Sequence, residues 1–172
     1  MNILVVADVH GNLAALEAVL ADVGEVAHVW CLGDLVGYGA NPNEVVDRIF
    51  DLAPDVLIRG NHDKVAAGLE DTEAFNYLAA QAVRWTRESL TPENRDRIAA
   101  LVAGPVMVDA RVEVCHGTPF DEDVYIFEME DAVQALDAAE RPLCFFGHTH
   151  VPVVFERDGD RLGVIGPDLD KR

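Results

Sequence analysis

The chain has 172 residues, half of them hydrophobic and 26% charged. That composition fits a single domain, residues 1–172, built around one sizeable core, and it excludes a disordered chain. The formal net charge is −18, from 31 acidic and 13 basic residues with Lys only at positions 64 and 171. Such a surface is repelled by nucleic-acid backbone and by anionic membrane. No apolar run is long enough to span a bilayer. The run Ile3 to Ala7 is too short for a signal-peptide core and is followed by an Asp, so a cytoplasmic protein is the expectation.

Taken in chain order, Asn2 to Ala7 reads as a short buried strand. Asn12 can cap a helix in which Leu13, Leu16, Leu20 and Val23 recur at helical spacing. Val26 to Leu32 is a second strand, Asn41-Pro42 opens a second helix carrying Val45, Ile49 and Leu52, and Val56 to Arg59 is a third strand. This alternation predicts βαβ units and a parallel sheet. Residues 73–102 read as helical with a break at Thr91-Pro92, and Leu78, Ala82, Trp85 and Leu90 are expected to form the buried side of the first piece. Val106 to Val108 and Val112 to Cys115 flank Asp109-Ala110-Arg111, a tight hairpin signal. A helix over Glu128 to Ala139, a strand over Leu143 to Phe146 and a second hairpin around Asp158-Gly159 complete the order, followed by a polar tail from Pro167.

Five polar clusters fall directly after predicted strands: Asp8-Val9-His10, Gly33-Asp34, Gly60-Asn61-His62-Asp63, His116-Gly117 and Gly147-His148-Thr149-His150. Loops beyond the carboxyl ends of strands form the ligand crevice of an open α/β sheet. Each cluster alone has an ordinary reading as a turn, a helix cap or a satisfied loop histidine. Together they hold five of the six His, and only His28, within an apolar strand, stands apart as a core or edge residue. Carboxylate, imidazole and amide oxygen without thiolate suit borderline-to-hard divalent cations. Asp8 and His10 are two apart, so an extended segment sends both to one side, and His148 and His150 repeat that spacing. The donors exceed the need of one four-coordinate ion, which argues for two ions sharing a carboxylate.

Other chemistries are excluded. Ser89 is the single Ser and lies in a helical segment, so the nucleophile elbow is absent. Cys31, Cys115 and Cys144 are widely spaced in apolar runs and read as buried thiols. No dinucleotide or P-loop glycine motif occurs.

In this order the five motifs resemble the calcineurin-like metallophosphoesterase family, and ADVHGNLAALEAVL, GDLVGYGANPNEVVD and RGNHD resemble its small bacterial and archaeal phosphodiesterase-type members. The resemblance covers Met1 to about Pro152. It implies an α/β fold, a two-sheet α/β sandwich flanked by helices. Because only residues 151–172 follow the last motif, a second sheet shortened at the C-terminus with an unpaired edge is expected, for which a partner subunit such as a second copy of the chain, a shorter natural design or a truncated chain would each account. Carried over by motif, Asp8, His10 and His150 bind one metal, Asn61, His116 and His148 bind a second, and Asp34 bridges them. His62 is the proton donor and Asp63 orients it. The implied cofactors are two divalent ions, manganese first, with iron, zinc, nickel and cobalt as alternatives.

The implied reaction is hydrolysis of a small phosphate diester or monoester by a hydroxide held between the two ions. No Arg follows Asp34 within Val36-Gly37-Tyr38-Gly39, a departure from the protein phosphatases of the superfamily. A non-catalytic scaffold or protein-interaction module of the same fold is the alternative.

Overall fold

The alternating apolar runs of the first third fold as parallel strands β1 (Ile3–Val6), β2 (His28–Cys31) and β3 (Val56–Leu57), paired in the order β1-β2-β3. They are connected by helices α1 (Leu13–Val23) and α2 (Pro42–Asp51). Asn12 caps α1 by accepting from the Ala15 N–H at 3.1 Å, and Pro42 opens α2 where its missing N–H costs nothing. The computed structural model describes residues 2–166, so the expected tail from Pro167 lies outside the described residues.

A second sheet holds β4 (Val106–Met107), β5 (Val112–Val114) and β6 (Leu143–Phe145); β4 runs antiparallel and β6 parallel to β5. The Asp109 carboxylate closes the β4–β5 turn by accepting from the N–H groups of Arg111 and Val112 at 2.6 and 2.9 Å. Alternation across each strand then builds the layers. Trp30, Leu32, Val56 and Ile58 from the first sheet meet Val112 and Val114 from the second, while Cys31 turns the other way to join Leu16, Val45 and Ile49 beneath the helices. On the far side of the second sheet lie α6 (Met129–Ala138) and the hairpin β7 (Val154–Asp158)–β8 (Arg161–Ile165). The order of layers is helices, sheet, sheet, then helix and hairpin, the two-sheet sandwich expected. A cavity of about 730 Å³ separates β6 from the hairpin and is lined mainly by apolar side chains such as Ile126, Phe146 and Phe155.

Asn61-His62-Asp63, open to a helix-cap reading, forms the first turn of α3 (Asn61–Ala66), with Gly60 at the cap and the Asp63 carboxylate accepting its N–H. One expectation is corrected. In α4 (Tyr77–Ser89) the buried residues are Ala79, Ala80, Val83 and Thr86, whereas Leu78 is 73% and Trp85 45% exposed. The helix packs close to α3, and small side chains admit that approach. Thr86 Oγ1 donates to the Gly37 carbonyl at 2.8 Å, satisfying the one polar group the face carries inward. The chain breaks as expected before α5 (Pro92–Ala99), capped by Thr91. No helix among the described residues is long and apolar enough to cross a membrane.

Candidate metal centre

All five polar clusters lie at the carboxyl ends of strands and meet at one end of the sandwich. Asp8 and His10 follow β1, Asp34 follows β2 and Asn61 follows β3 in the first sheet; His116 follows β5, and His148 and His150 follow β6 in the second. The loops bond to one another directly. Asp8 N–H donates to Gly33 O at 3.0 Å, His10 N–H to Asp34 O at 2.9 Å, and Gly147 N–H to His116 O at 2.8 Å. The His148 N–H donates to the Asp8 carboxylate at 3.0 Å, tying the first cluster to the last.

The backbone here is not extended. Asp8, His10, Asp34, His148 and His150 all have positive φ, between 48° and 66°. Left-handed conformations are costly for residues with a Cβ and concentrate at functional sites. The convergence of Asp8 with His10 therefore comes from tight left-handed turns, not from the period-two geometry expected. Close approach also demands glycine. A Cβ on Gly60 would stand 2.1 Å from Asp34 Oδ1, and one on Gly147 would stand 2.6 Å from Asp8 Oδ2.

The donor atoms fall into groups within 4.8 Å of one another: Asp8, His10 and His150 in one, and Asp34, His116 and His148 in another. A third group, His10, Asp34 and His62, overlaps both. Asp34 Oδ2 connects them, 3.6 Å from His10 Nε2 and 3.3 Å from His116 Nε2. Asn61, whose side chain is buried, places Oδ1 3.2 Å from His116 Nε2. His148 and His150 separate, one to each group. Each of the two groups draws ligands from both sheets.

Backbone carbonyls set the tautomers. His10 Nδ1 lies 3.0 Å from Val36 O, His116 Nδ1 2.8 Å from Leu32 O, and His148 Nε2 3.1 Å from Asp123 O. In each case the ring nitrogen facing the carbonyl donates a proton, leaving the other facing the centre, where it can serve as a ligand once it holds no proton. Carboxylate, amide oxygen and imidazole nitrogen thus converge, a costly arrangement in a buried place unless positive charge sits between. The donor set fits divalent cations of the manganese-to-zinc kind.

Electrostatics carry the same message. Burial opposes charge on both members of the Asp34–His116 pair, yet their mutual attraction wins: Asp34 falls below the usual carboxylate range and His116 rises to about 9, so its Nε2 carries a proton that a cation would displace. Burial and the neighbouring imidazoles lower His62 and His148 to about 4 each. Asp8 is raised, chiefly by burial.

The model of the calcineurin-like phosphoesterase superfamily domain matches residues 1–167. The chain belongs to that superfamily. An uncharacterized protein of Methanocaldococcus jannaschii is 35% identical over 180 residues, covering 99% of this chain and 72% of that protein. A solved metallophosphoesterase from Sphaerobacter thermophilus is 42% identical with a TM-score of 0.78, over 91% of this chain. The chain spans 63% of the length of that solved relative.

Within this phosphoesterase frame, two expected roles come apart. His62 sits beside the donors, its ring 4.7 Å from His10, 4.7 Å from Tyr38 and 4.6 Å from Phe75 between centroids, and its buried Nδ1 has no partner among the described residues. Asp63 does not orient it. The Asp63 carboxylate accepts from Gly60 N–H and Val36 N–H, both at 3.1 Å, turning into the start of α3. Its task is to clamp the Asp34 loop to the Asn61 loop, and burial followed by the Asp34 charge raises it to about 7.

Sequence reasoning also missed the rim of the centre. Tyr38 lies against His10, and Tyr125 stacks on His148 with centroids 3.7 Å apart. Tyr38 belongs to the GDLVGYG segment, read for its Asp and glycines and not for its ring, and Tyr125 to a loop without a motif, where the signal was an aromatic density in Tyr125-Ile126-Phe127. His28, set aside as a core or edge histidine, pairs with Asp55 at 3.0 Å, away from the centre. Cys31 and Cys115 are buried thiols as expected, whereas Cys144 is partly exposed, its Sγ 3.5 Å from that of Cys115.

Proposed function

We propose that the chain hydrolyses a small phosphate diester or monoester at a pair of divalent cations, manganese being the first choice. Asp8, His10 and His150 would hold one cation, Asn61, His116 and His148 the other, and Asp34 would bridge them. The observation that carries this reading is the position of Asp34 Oδ2, within 3.6 Å of one imidazole nitrogen from each donor group. The bound cations would supply Lewis acidity, neutralising phosphoryl charge and acidifying a water.

The chain's own residues do the rest. The carbonyls of Val36, Leu32 and Asp123 fix the imidazole tautomers. Asp63 and the glycines keep the loops at contact distance. His62, walled by Tyr38 and Phe75, serves as proton donor to the departing alkoxide. Its surroundings hold it neutral in the free protein, and an arriving phosphoryl anion raises its hold on a proton, so delivery is tied to a loaded site. The net charge of −18 favours a small ester over nucleic acid. The retention of every donor speaks against a non-catalytic scaffold.

A manganese-supplemented assay on bis(p-nitrophenyl) phosphate and p-nitrophenyl phosphate, with Asp34→Asn as the blank, tests the reading. Turnover in the wild type that vanishes on chelation and in Asp34→Asn is expected. Turnover persisting in Asp34→Asn would overturn the proposal.

A further inference from the structure

The ring of His148 is held by a segment that supplies none of the donors. Asp8 accepts the His148 N–H and fixes its backbone, which sits at a φ of 66°. The ring itself rests on residues 118–127. Its Nε2 donates to the Asp123 carbonyl at 3.1 Å, and Tyr125 lies on its face with centroids 3.7 Å apart. A shift of this segment moves both contacts together, and with them the ring nitrogen that faces Asp34 and His116.

Charge holds the segment in turn. Thr118 Oγ1 donates to Asp121 O at 2.9 Å, which shapes the loop without tying it to the first sheet. Two cationic side chains make that tie. Arg59, just beyond β3, places Nη2 and Nε 3.0 and 3.2 Å from the Glu122 carboxylate. Lys64, in α3, lies 2.7 Å from Glu70, 3.2 Å from Glu122 and 2.5 Å from Asp123. The side chains of Lys64 and Glu122 are 9% and 11% exposed, that of Asp123 42%. An exposed ion pair holds little, whereas removing one partner of a buried pair leaves a charge without a counterpart and forces its neighbours to move. Asp123 has water to move into, and its carbonyl would leave His148 with it.

We infer that Lys64 is a positioning residue: by clamping Glu122 and Asp123 to α3 it aims the His148 ring, and it thereby governs one cation seat of the two without supplying a donor to either. This rests on the two-cation reading above. The seat of Asn61, His116 and His148 depends on the clamp. The seat of Asp8, His10 and His150 does not, because the His10 ring is set by the Val36 carbonyl and leans on Tyr38 and His150 instead. A general loosening of the fold acts differently. It weakens both seats, since each takes ligands from both sheets.

Calorimetric titration of manganese into chelator-treated protein reads the two seats. The wild type should bind two ions per chain. In Lys64→Met one seat should keep its affinity and the other should weaken by about tenfold to a hundredfold, the range for losing a group that orients a ligand. Long-range proton–nitrogen spectra of the metal-free protein read His148 directly. The wild type should hold its proton on Nε2, and Lys64→Met should spread it over both ring nitrogens. Asp123→Ala keeps the backbone carbonyl and removes the clamp from the loop side, so it should reproduce both effects, and it takes the place of Lys64→Met if that variant does not fold. Both seats weakened alike, neither weakened, or an unchanged His148 tautomer would each overturn the role. If the wild type binds fewer than two ions, the two-cation reading falls, and the tautomer spectra alone decide whether Lys64 aims His148.

Discussion

His10 Nε2 and His150 Nε2 lie 3.0 Å apart, although the proton of His10 is committed on its far side to the Val36 carbonyl. His150 Nε2–H closes that gap by donating to the Nε2 lone pair of His10, and a cation held there would displace that proton. A cation there stabilises the folded chain by mass action, by about 2.7 kcal/mol at a free concentration one hundred times its dissociation constant. For a domain of this size that is a rise of about 5 to 10 °C in Tm. Thermal melts of chelator-treated protein with and without manganese should show the rise. Superimposable melts would mean that no ion binds the native state preferentially.

Asp34 and Asp8 should differ in what they hold. Asp34 touches both donor groups, whereas Asp8 belongs to one. Elemental analysis of the manganese-loaded variants should find both ions lost in Asp34→Asn and a single ion lost in Asp8→Asn. Identical metal content in the two variants would contradict a shared carboxylate at position 34.

His62→Ala should keep its metal and lose rate according to the leaving group. General acid catalysis contributes roughly 10²–10⁴-fold where the leaving alkoxide needs a proton. A loss of that size is expected for an alkyl ester, and a loss of only a few-fold for nitrophenolate, which leaves unaided. Equal losses on the two substrates would take the proton from His62.

Gly60→Ala sets a new Cβ 2.1 Å from Asp34 Oδ1, which also accepts the His62 N–H at 2.8 Å. Overpacking of this kind costs about 1 to 3 kcal/mol, and here it displaces the Asp34 carboxylate. Both a lower Tm and lost metal are expected. Gly24→Ala is the control, since its positive φ carries strain but its Cβ would meet nothing within 4 Å; it should lower Tm and spare the metal. Full metal occupancy in Gly60→Ala would show that Asp34 has room to move.

The parallel sheet was legible because buried parallel strands are written as unbroken apolar runs, as Ile3 to Val6 shows. The convergence of the donors was legible because five of the six His follow predicted strands, which leaves few alternatives. What escaped was whatever depends on backbone or on size. The left-handed turns at Asp8 and His148 have no signature in a period-two reading. The buried side of α4 was misassigned because hydrophobicity favours Leu78 and Trp85, while the space against α3 admits only Ala79, Ala80 and Val83. The tautomer-setting carbonyls of Val36, Leu32 and Asp123 belong to residues whose side chains are irrelevant to the task. The orienting role of Asp63 came with the family resemblance, and the turn of α3 directs its carboxylate to Gly60 and Val36 instead.

Since each donor group takes ligands from loops above both sheets, an ion seated there is a rivet through the sandwich as well as a reagent. Loosening the seam between Trp30 and Val114 would spread the rivet holes. Core substitutions remote from the chemistry should therefore announce themselves first as weakened ion retention, well before the domain comes apart.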